Sequence, residues 1–192
     1  MSNAPVSGRG TPDAPPPKSQ QASLPDDVRD QTLGVAFFDL SRIGEWSGSE
    51  EDRHVAGFFQ AFYALAAERL EPAGGRIVKF MGDAGIVVFG TDVAENAIFA
   101  LCDFARDARE LAGRFGLDTY LNVSVHVGPV LTGSFGPAGA KRFDVIGKTV
   151  NIAARLGRRG VVLSSQAFRC LSEAGRKRFD KIMRPITYHF RG

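Results

Sequence analysis

Apolar residues recur with two different periods along the chain, and these periods predict alternating helices and strands. A period near 3.6 between residues 51 and 71, as in Val55, Phe58, Phe62 and Leu65, predicts an amphipathic helix. Short β-branched or aromatic runs bounded by Gly, Asp or Pro predict strands. The predicted strands are 33–40, the hairpin 77–90, 120–127, 130–135, 142–146, 160–164 and the pair 176–182 and 185–190; the predicted helices are 51–71, 93–114, 148–156 and 165–174.

The order of the first six predicted elements is β-α-β-β-α-β, which is typical of a ferredoxin-like α+β fold. The remaining elements form a C-terminal αβ extension. In this topology the first and third strands are antiparallel neighbours at the centre of the sheet. Asp39 ends the first strand, and Asp83 lies in the Gly82-Asp83 turn just before the third. We therefore expect these two carboxylates to meet at one edge of the sheet.

Residues 1–32 have a different composition from the rest of the chain. They contain Pro5, Pro12, Pro15–Pro17 and Pro25 among Ser, Gln, Gly and Asp, with almost no large apolar residue. Such a segment buries too little surface to offset its ordering entropy. We predict a disordered N-terminal segment over 1–32 and one folded domain over 33–192.

Composition excludes several classes of protein. Of the 192 residues, 44% are hydrophobic, which suffices for one sizeable core, and the net charge is only +3. The small basic groups at 158–159 and 176–178 are more typical of a solvated surface than of a nucleic-acid patch. No apolar run approaches the roughly 20 residues that span a bilayer, and the N-terminal residues lack the apolar core that a signal peptide needs. We expect a cytoplasmic protein that binds neither nucleic acid nor membrane, with Cys102 and Cys170 as reduced, buried thiols.

Asp39 and Asp83 form the first candidate site. Two carboxylates at one sheet edge suit Mg²⁺, which is typically held by one or two carboxylates together with substrate phosphates. A pair of such ions can activate an attacking oxygen and neutralise charge on a phosphate. The alternative is that Asp39 only caps the loop that follows it. The pairing with Asp83 on this topology favours a metal site.

Asn151 and Arg155 form the second candidate site. Their i, i+4 spacing places them on one face of the predicted helix. On that face an arginine could hold a phosphate, and an asparagine could orient a ribose or phosphate oxygen. The alternative is a surface helix whose arginine pairs with any nearby acid. Asp144 precedes this helix on a strand.

Four segments together resemble the catalytic domain of class III nucleotidyl cyclases. In chain order they read FFDL, KFMGD, VSVHVGPVLTG and FDVIGKTVNIAARL. The resemblance covers about residues 33–190, and the last segment is the most specific of the four. It implies a phosphorus–oxygen lyase that forms a cyclic nucleotide.

The resemblance also implies site residues and an assembly. Asp39 and Asp83 correspond to the two metal-binding aspartates, with the Leu40 carbonyl as a further ligand to two Mg²⁺ or Mn²⁺ ions. Members of the family act as head-to-tail dimers, in which the metal ligands come from one protomer and the other groups from its partner. Those other groups correspond to the base-reading pair Lys79 and Asp144, the ribose and triphosphate contacts Asn151 and Arg155, and a C-terminal phosphate-binding lysine for which Lys181 is the nearest candidate.

The resemblance favours ATP as the substrate. Adenine presents an acceptor at N1 and a donor at its 6-amino group, which match the Lys79 donor and the Asp144 acceptor. Guanylate cyclases of this family usually carry Glu and a small residue at these positions. The expected activity is an adenylate cyclase with a role in signal transduction; the alternative is a weak or silent cyclase-like module that binds nucleotide or a partner. A diguanylate cyclase is disfavoured because the chain has no Gly-Gly-Asp/Glu-Glu-Phe turn.

Three positions depart from the family pattern. Asn122 stands where members commonly have an arginine that contacts phosphate. The segment from Arg155 to Ser164 is about one helical turn shorter than usual, so we expect the Asn151–Arg155 helix to be truncated. The C-terminal lysine aligns only loosely with Lys181. We expect these departures to affect activity rather than fold, and we interpret His126 of the His-x-Gly segment as structural.

Overall fold

The computed structural model of the chain describes residues 24–157, 160–183 and 185–192, which form eight strands and six helices. The strands are β1 (Arg29–Leu40), β2 (Gly75–Met81), β3 (Ala84–Gly90), β4 (Leu121–Phe135), β5 (Arg142–Ile146), β6 (Val161–Ser164), β7 (Phe179–Ile182) and β8 (Thr187–Phe190). The helices are α1 (Ile43–Ser47), α2 (Asp52–Leu70), α3 (Ala94–Arg114), α4 (Lys148–Arg155), α5 (Ser165–Arg169) and α6 (Glu173–Arg176).

The strands form one sheet in the order β2-β3-β1-β4-β6-β8-β7, with β5 paired to β4. Strand β1 lies at the centre of the core and is antiparallel to both β3 and β4. This arrangement confirms the predicted ferredoxin-like α+β core with its C-terminal extension. The β4–β5 hairpin also brings β5 into contact with β2, so the sheet must curl strongly along this side.

The two faces of the sheet bury separate apolar clusters. Helices α2 and α3 cover one face, and Phe38 of β1 lies at the centre of that cluster, fully buried. The Phe38 ring makes edge-to-face contacts with Phe62, Phe80 and Phe104, at centroid distances of 6.1, 6.1 and 5.4 Å. A smaller cluster on the opposite face packs β1, β3, β4 and β5 against Ala153 of α4. The apolar faces of α2, α3 and α4 therefore pack against the sheet, as the spacing of their apolar residues predicted.

The prediction that residues 29–32 are disordered is wrong, because β1 begins at Arg29 rather than at residue 33. The reason is tertiary: Arg29–Thr32 lie opposite Pro129–Thr132 of β4, so the backbone of this polar stretch pairs with a strand. Asp27 also accepts a hydrogen bond from the Ser134 amide at 2.9 Å. Residues 24–28 lead into β1 through a turn in which the Val28 amide donates to the Pro25 carbonyl at 3.1 Å, and residues 1–23 lie outside the described residues.

Two other predicted boundaries need correction. The chain between 120 and 135 forms one strand, β4, and not two. On the side away from β1, β6 pairs with Val123–Val125 and β5 pairs with Leu131–Phe135. Pro129 lies in the gap between these two partners, so its lack of an amide hydrogen costs no strand hydrogen bond there. The helix predicted over 165–174 is divided into α5 and α6, because the Ser172 hydroxyl caps a new helix by accepting from the Gly175 amide.

The segment that follows β1 contains the short helix α1, whose Trp46 is buried. Both cysteines are free thiols; Cys102 is buried and Cys170 is half-buried. Within the described ranges, no helix combines the length and the apolar character needed to cross a bilayer.

We predict that Phe38→Ala lowers the free energy of unfolding by about 3–5 kcal/mol, because it removes the ring at the centre of the larger cluster. Phe37→Ala is the matched control, since Phe37 is its neighbour on the opposite face and is only half-buried. Urea denaturation of the three proteins measures the difference. Equal losses in the two variants would contradict the central role of Phe38.

Candidate active site

The pairing of β1 with β3 brings Asp39 and Asp83 to one edge of the sheet, as predicted. Asp39 lies opposite Ala84, the residue that follows Asp83. The Leu40 amide donates to the Asp83 carbonyl at 3.2 Å, which ties the end of β1 to the turn. Gly82 in this turn has a φ of +67°, a left-handed conformation that favours glycine.

Tyr63 of α2 fixes the same turn from the side. Its hydroxyl donates to the Gly82 carbonyl at 2.9 Å, and its ring stacks on Phe80 at a centroid distance of 4.1 Å. No separate signal in the sequence distinguishes Tyr63, which is one aromatic position of an amphipathic helix. The turn that carries Asp83 is thus held by both β1 and α2.

The electrostatics of this edge suit a cation. Partial burial raises the pKa of Asp83, and the neighbouring charge of Asp39 raises this pKa further. Among the described residues no cluster of three or more His, Cys, Asp or Glu side chains is present, so a closed all-protein cage is absent there. Two carboxylates fit an ion that completes its coordination with water and substrate phosphates.

Asn122 lies beside Asp39 on the adjacent strand. The two residues are directly opposite in the β1–β4 register, and Asn122 Nδ2 donates to Asp39 Oδ2 at 3.2 Å. The Asn122 side chain is buried, and its Oδ1 has no hydrogen-bond partner among the described residues. The residue that stands in place of the expected arginine therefore contacts a predicted metal ligand.

A β-bulge determines the direction of Lys79. Ile77 lies opposite Val87, whereas Lys79 lies opposite Ile86, so the register shifts between them. Val87 belongs to the cluster under α2 and α3, while Ile86 belongs to the cluster on the α4 side. Without the extra residue of the bulge, Lys79 would face the first cluster. The bulge turns it to the α4 side of the sheet.

On that side Lys79 meets Asp144 of β5. The Lys79 Nζ and Asp144 Oδ2 atoms are 2.6 Å apart, and both side chains are partly exposed. Asp144 Oδ1 accepts from the Val145 amide at 2.8 Å, and Arg76 stacks on Phe143 one residue earlier, at 3.4 Å from the ring centroid. The structure thus brings together two residues that the sequence separates by a whole helix and two strands.

Asn151 and Arg155 lie on the exposed side of α4, as their spacing predicted. They line a shallow depression of about 460 Å³ together with Lys148, Ile152, Leu156 and Pro185. The helix ends at Arg155, one residue before the predicted end, and the Leu156 amide closes it on the Ala153 carbonyl at 3.3 Å. The short segment after α4 therefore leaves Arg155 in the last turn.

Two further predicted residues lie apart from these groups. Lys181 is an exposed residue of β7 opposite Tyr188, and within the described ranges no hydrogen bond or ion pair joins it to another predicted site residue. His126 is buried on β4, where its Nδ1 lies 2.9 Å from Ser164 Oγ. Burial lowers the pKa of His126 below its ordinary value, which agrees with a structural role.

Comparison with known proteins shows the family. Residues 27–187 match the adenylate and guanylate cyclase catalytic domain, and the chain belongs to this family. An adenylate cyclase of Streptomyces coelicolor is 28% identical over 140 residues, which are 71% of this chain and 32% of that protein. An uncharacterized protein of Mycobacterium tuberculosis is 28% identical over 134 residues, which are 66% of this chain and 24% of that one.

The fold is shared with solved cyclase structures. The guanylyl cyclase Cya2 superposes with a TM-score of 0.76 over 86% of this chain and 94% of that chain, at 19% sequence identity. This similarity shows the fold. The chain itself spans about a quarter to a third of the length of the curated relatives described above.

We predict that His126 makes stability depend on pH. Because its pKa is lower in the folded protein, only the unfolded chain takes up the proton as the pH falls through the ordinary value of 6.5. The stabilisation is therefore complete above that pH and is lost below it, with a slope of at most about 1.4 kcal/mol per pH unit. Urea denaturation between pH 5 and 8 measures this slope. His126→Gln is expected to flatten it; an unchanged slope in the variant would assign the dependence to other groups.

Proposed function

We propose that the protein is an adenylate cyclase that converts ATP to cyclic AMP and pyrophosphate. The observation that carries this proposal is the 2.6 Å contact between Lys79 Nζ and Asp144 Oδ2 on one side of the sheet. This pair offers one donor and one acceptor, the pattern that complements N1 and the 6-amino group of adenine. Family membership supplies the reaction class, and the relative from Streptomyces coelicolor that is named adenylate cyclase supports the choice of ATP.

Asp39, Asp83 and the Leu40 carbonyl are the groups that would hold two Mg²⁺ or Mn²⁺ ions. Bound there with the nucleotide, such ions neutralise phosphate charge and favour ionisation of an attacking hydroxyl. The donor set fits this use, because hard oxygen atoms are the ligands that these cations prefer.

The rest of the chemistry is positioning and charge stabilisation by the chain itself. Lys79 and Asp144 bind the adenine edge, and Asn151 orients the ribose so that its 3′-oxygen attacks the α-phosphorus in line. Arg155 stabilises the negative charge that develops on the phosphate oxygens, and Lys181 binds the terminal phosphates. The 3′-hydroxyl loses its proton to water, the 3′-oxygen–phosphorus bond forms as the α–β anhydride bond breaks, and pyrophosphate leaves.

We propose that a head-to-tail homodimer assembles this site. Asp39 and Asp83 come from one protomer, and the base, ribose and phosphate contacts come from its partner. Several apolar side chains in and near α4, β5 and the β7–β8 connection are exposed in the single chain, as expected for a surface that a second copy covers. They are Ile146, Ile152, Met183 and Ile186.

A second candidate function is a weak or silent cyclase-like module that binds nucleotide or a partner. The observation that favours it is the buried Asn122, which adds no positive charge where the family commonly has an arginine. Incubation of the purified protein with ATP or GTP and Mg²⁺ or Mn²⁺, followed by chromatography for the cyclic product, decides between the two. Cyclic AMP formation supports the enzyme; nucleotide binding without product supports the module.

We predict that Asp39→Ala, Asp83→Ala and Asn151→Ala each abolish cyclase activity without unfolding the protein. A mixture of the Asp83→Ala and Asn151→Ala proteins is expected to regain activity, because one site of the heterodimer then receives both intact halves. The matched control is a mixture of Asp39→Ala with Asp83→Ala, whose lesions fall in the same half-site. Recovery of cyclase activity in the control mixture would contradict the shared site. So would a lack of recovery in the first mixture although its subunits exchange.

We predict that Lys79 and Asp144 set the preference for ATP over GTP. Each mismatched buried hydrogen bond costs about 1–3 kcal/mol, so two together give roughly a hundredfold discrimination. Lys79→Glu combined with Asp144→Cys is expected to lower kcat/KM for ATP and to raise the ratio of GTP to ATP turnover, measured with Mn²⁺. An unaltered ratio would assign the pair to bracing β2 against β5 instead.

A further inference from the structure

The amide of Asn122 is oriented by the carboxylate next to it. An ionised carboxylate only accepts hydrogen bonds, so the Asn122 NH₂ group, and not its oxygen, must face Asp39 Oδ2 at 3.2 Å. The Oδ1 atom is therefore an acceptor, and Asn122 is only 5% exposed. No donor reaches this oxygen from any residue that the structure describes. A buried acceptor without a partner is costly, because it has lost its hydrogen bonds to water.

The surroundings of this oxygen indicate what satisfies it. Asn122 shares a sheet face with Asp39, which lies directly opposite on β1 and beside the turn that carries Asp83. The Asn122 amide contacts Asp39, and its oxygen offers a third hard donor at this sheet edge, of the kind that Mg²⁺ and Mn²⁺ bind directly or through a coordinated water. A contact of this residue with substrate phosphate is disfavoured, because Asn122 carries no charge and its NH₂ group already binds Asp39.

We propose that Asn122 is part of the metal site: its Nδ2 positions Asp39, and its Oδ1 binds the divalent cation or a water on that cation. The inference rests on the metal-dependent function proposed above and adds a residue to it. Asn122 then compensates for the missing arginine by strengthening the metal half of the site. Outer groups that orient metal ligands typically change metal affinity by about 10–100-fold when they are removed.

The test measures Mn²⁺ binding to the 192-residue chain by electron paramagnetic resonance, without nucleotide, so that the readout does not depend on turnover. Asn122→Leu is similar in size and removes both polar atoms; we expect its Mn²⁺ affinity to fall about 10–100-fold. Asn122→Asp keeps an oxygen at this position, and we expect an affinity closer to that of the wild type. Ser124→Ala is the matched control, because Ser124 is the next residue on the same face of β4, is 6% exposed, and is expected to leave binding unchanged.

Folding and the parent proposal are tested separately. We expect Asn122→Leu to keep the urea midpoint close to that of the wild type, since it also removes an unpaired buried acceptor. If this variant fails to fold, Asn122→Ala repeats the comparison with a smaller side chain. The role of Asn122 alone would be overturned if the wild type binds Mn²⁺, Asp39→Ala abolishes this binding and Asn122→Leu leaves it unchanged. Absence of Mn²⁺ binding in the wild type would overturn the metal site as well.

Discussion

The antiparallel pairing of β1 between β3 and β4 is the constraint on which the rest of the site depends. One neighbour places the turn with Asp83 against the end of β1, and the other places Asn122 opposite Asp39. The same strand carries Phe38 into the larger apolar cluster. Because side chains of a strand alternate between faces, burying Phe38 under α2 and α3 commits Asp39 to the opposite face. Strand β1 thus contributes both to the stability of the fold, through Phe38, and to the placement of the Asp39 carboxylate.

The two faces of β4 show the same division in their chemistry. Val123, Val125 and Val127 face the larger cluster, and the alternate positions on the other face include Asn122, Ser124 and His126. Buried polar groups are costly unless they are paired. The His126–Ser164 contact pays this cost within the protein. Asn122 is only half satisfied, because its Oδ1 has no hydrogen-bond partner among the described residues.

Local irregularity completes the site where regular pairing would not. A strict register for β2 would turn Lys79 towards the apolar cluster under α2 and α3, and the bulge after Ile77 turns it towards Asp144 instead. The curl of the β4–β5 hairpin brings Asp144 within reach of β2, and the stacking of Arg76 on Phe143 supports the same approach. The contact between Lys79 and Asp144 therefore depends on two features of the backbone, one bulge and one bent hairpin.

The sequence by itself determined the β-α-β-β-α-β order of the core elements, the ferredoxin-like fold, the meeting of Asp39 with Asp83 at one sheet edge and the common face of Asn151 and Arg155. These follow from periodicity and topology, which are local or nearly local properties. It did not determine the strand over Arg29–Thr32, the continuity of β4 through Pro129, the brace from Tyr63 or the contact of Asn122 with Asp39. Each of these depends on which distant backbone lies alongside, and polar or proline-containing stretches carry no signal for that until the sheet has formed.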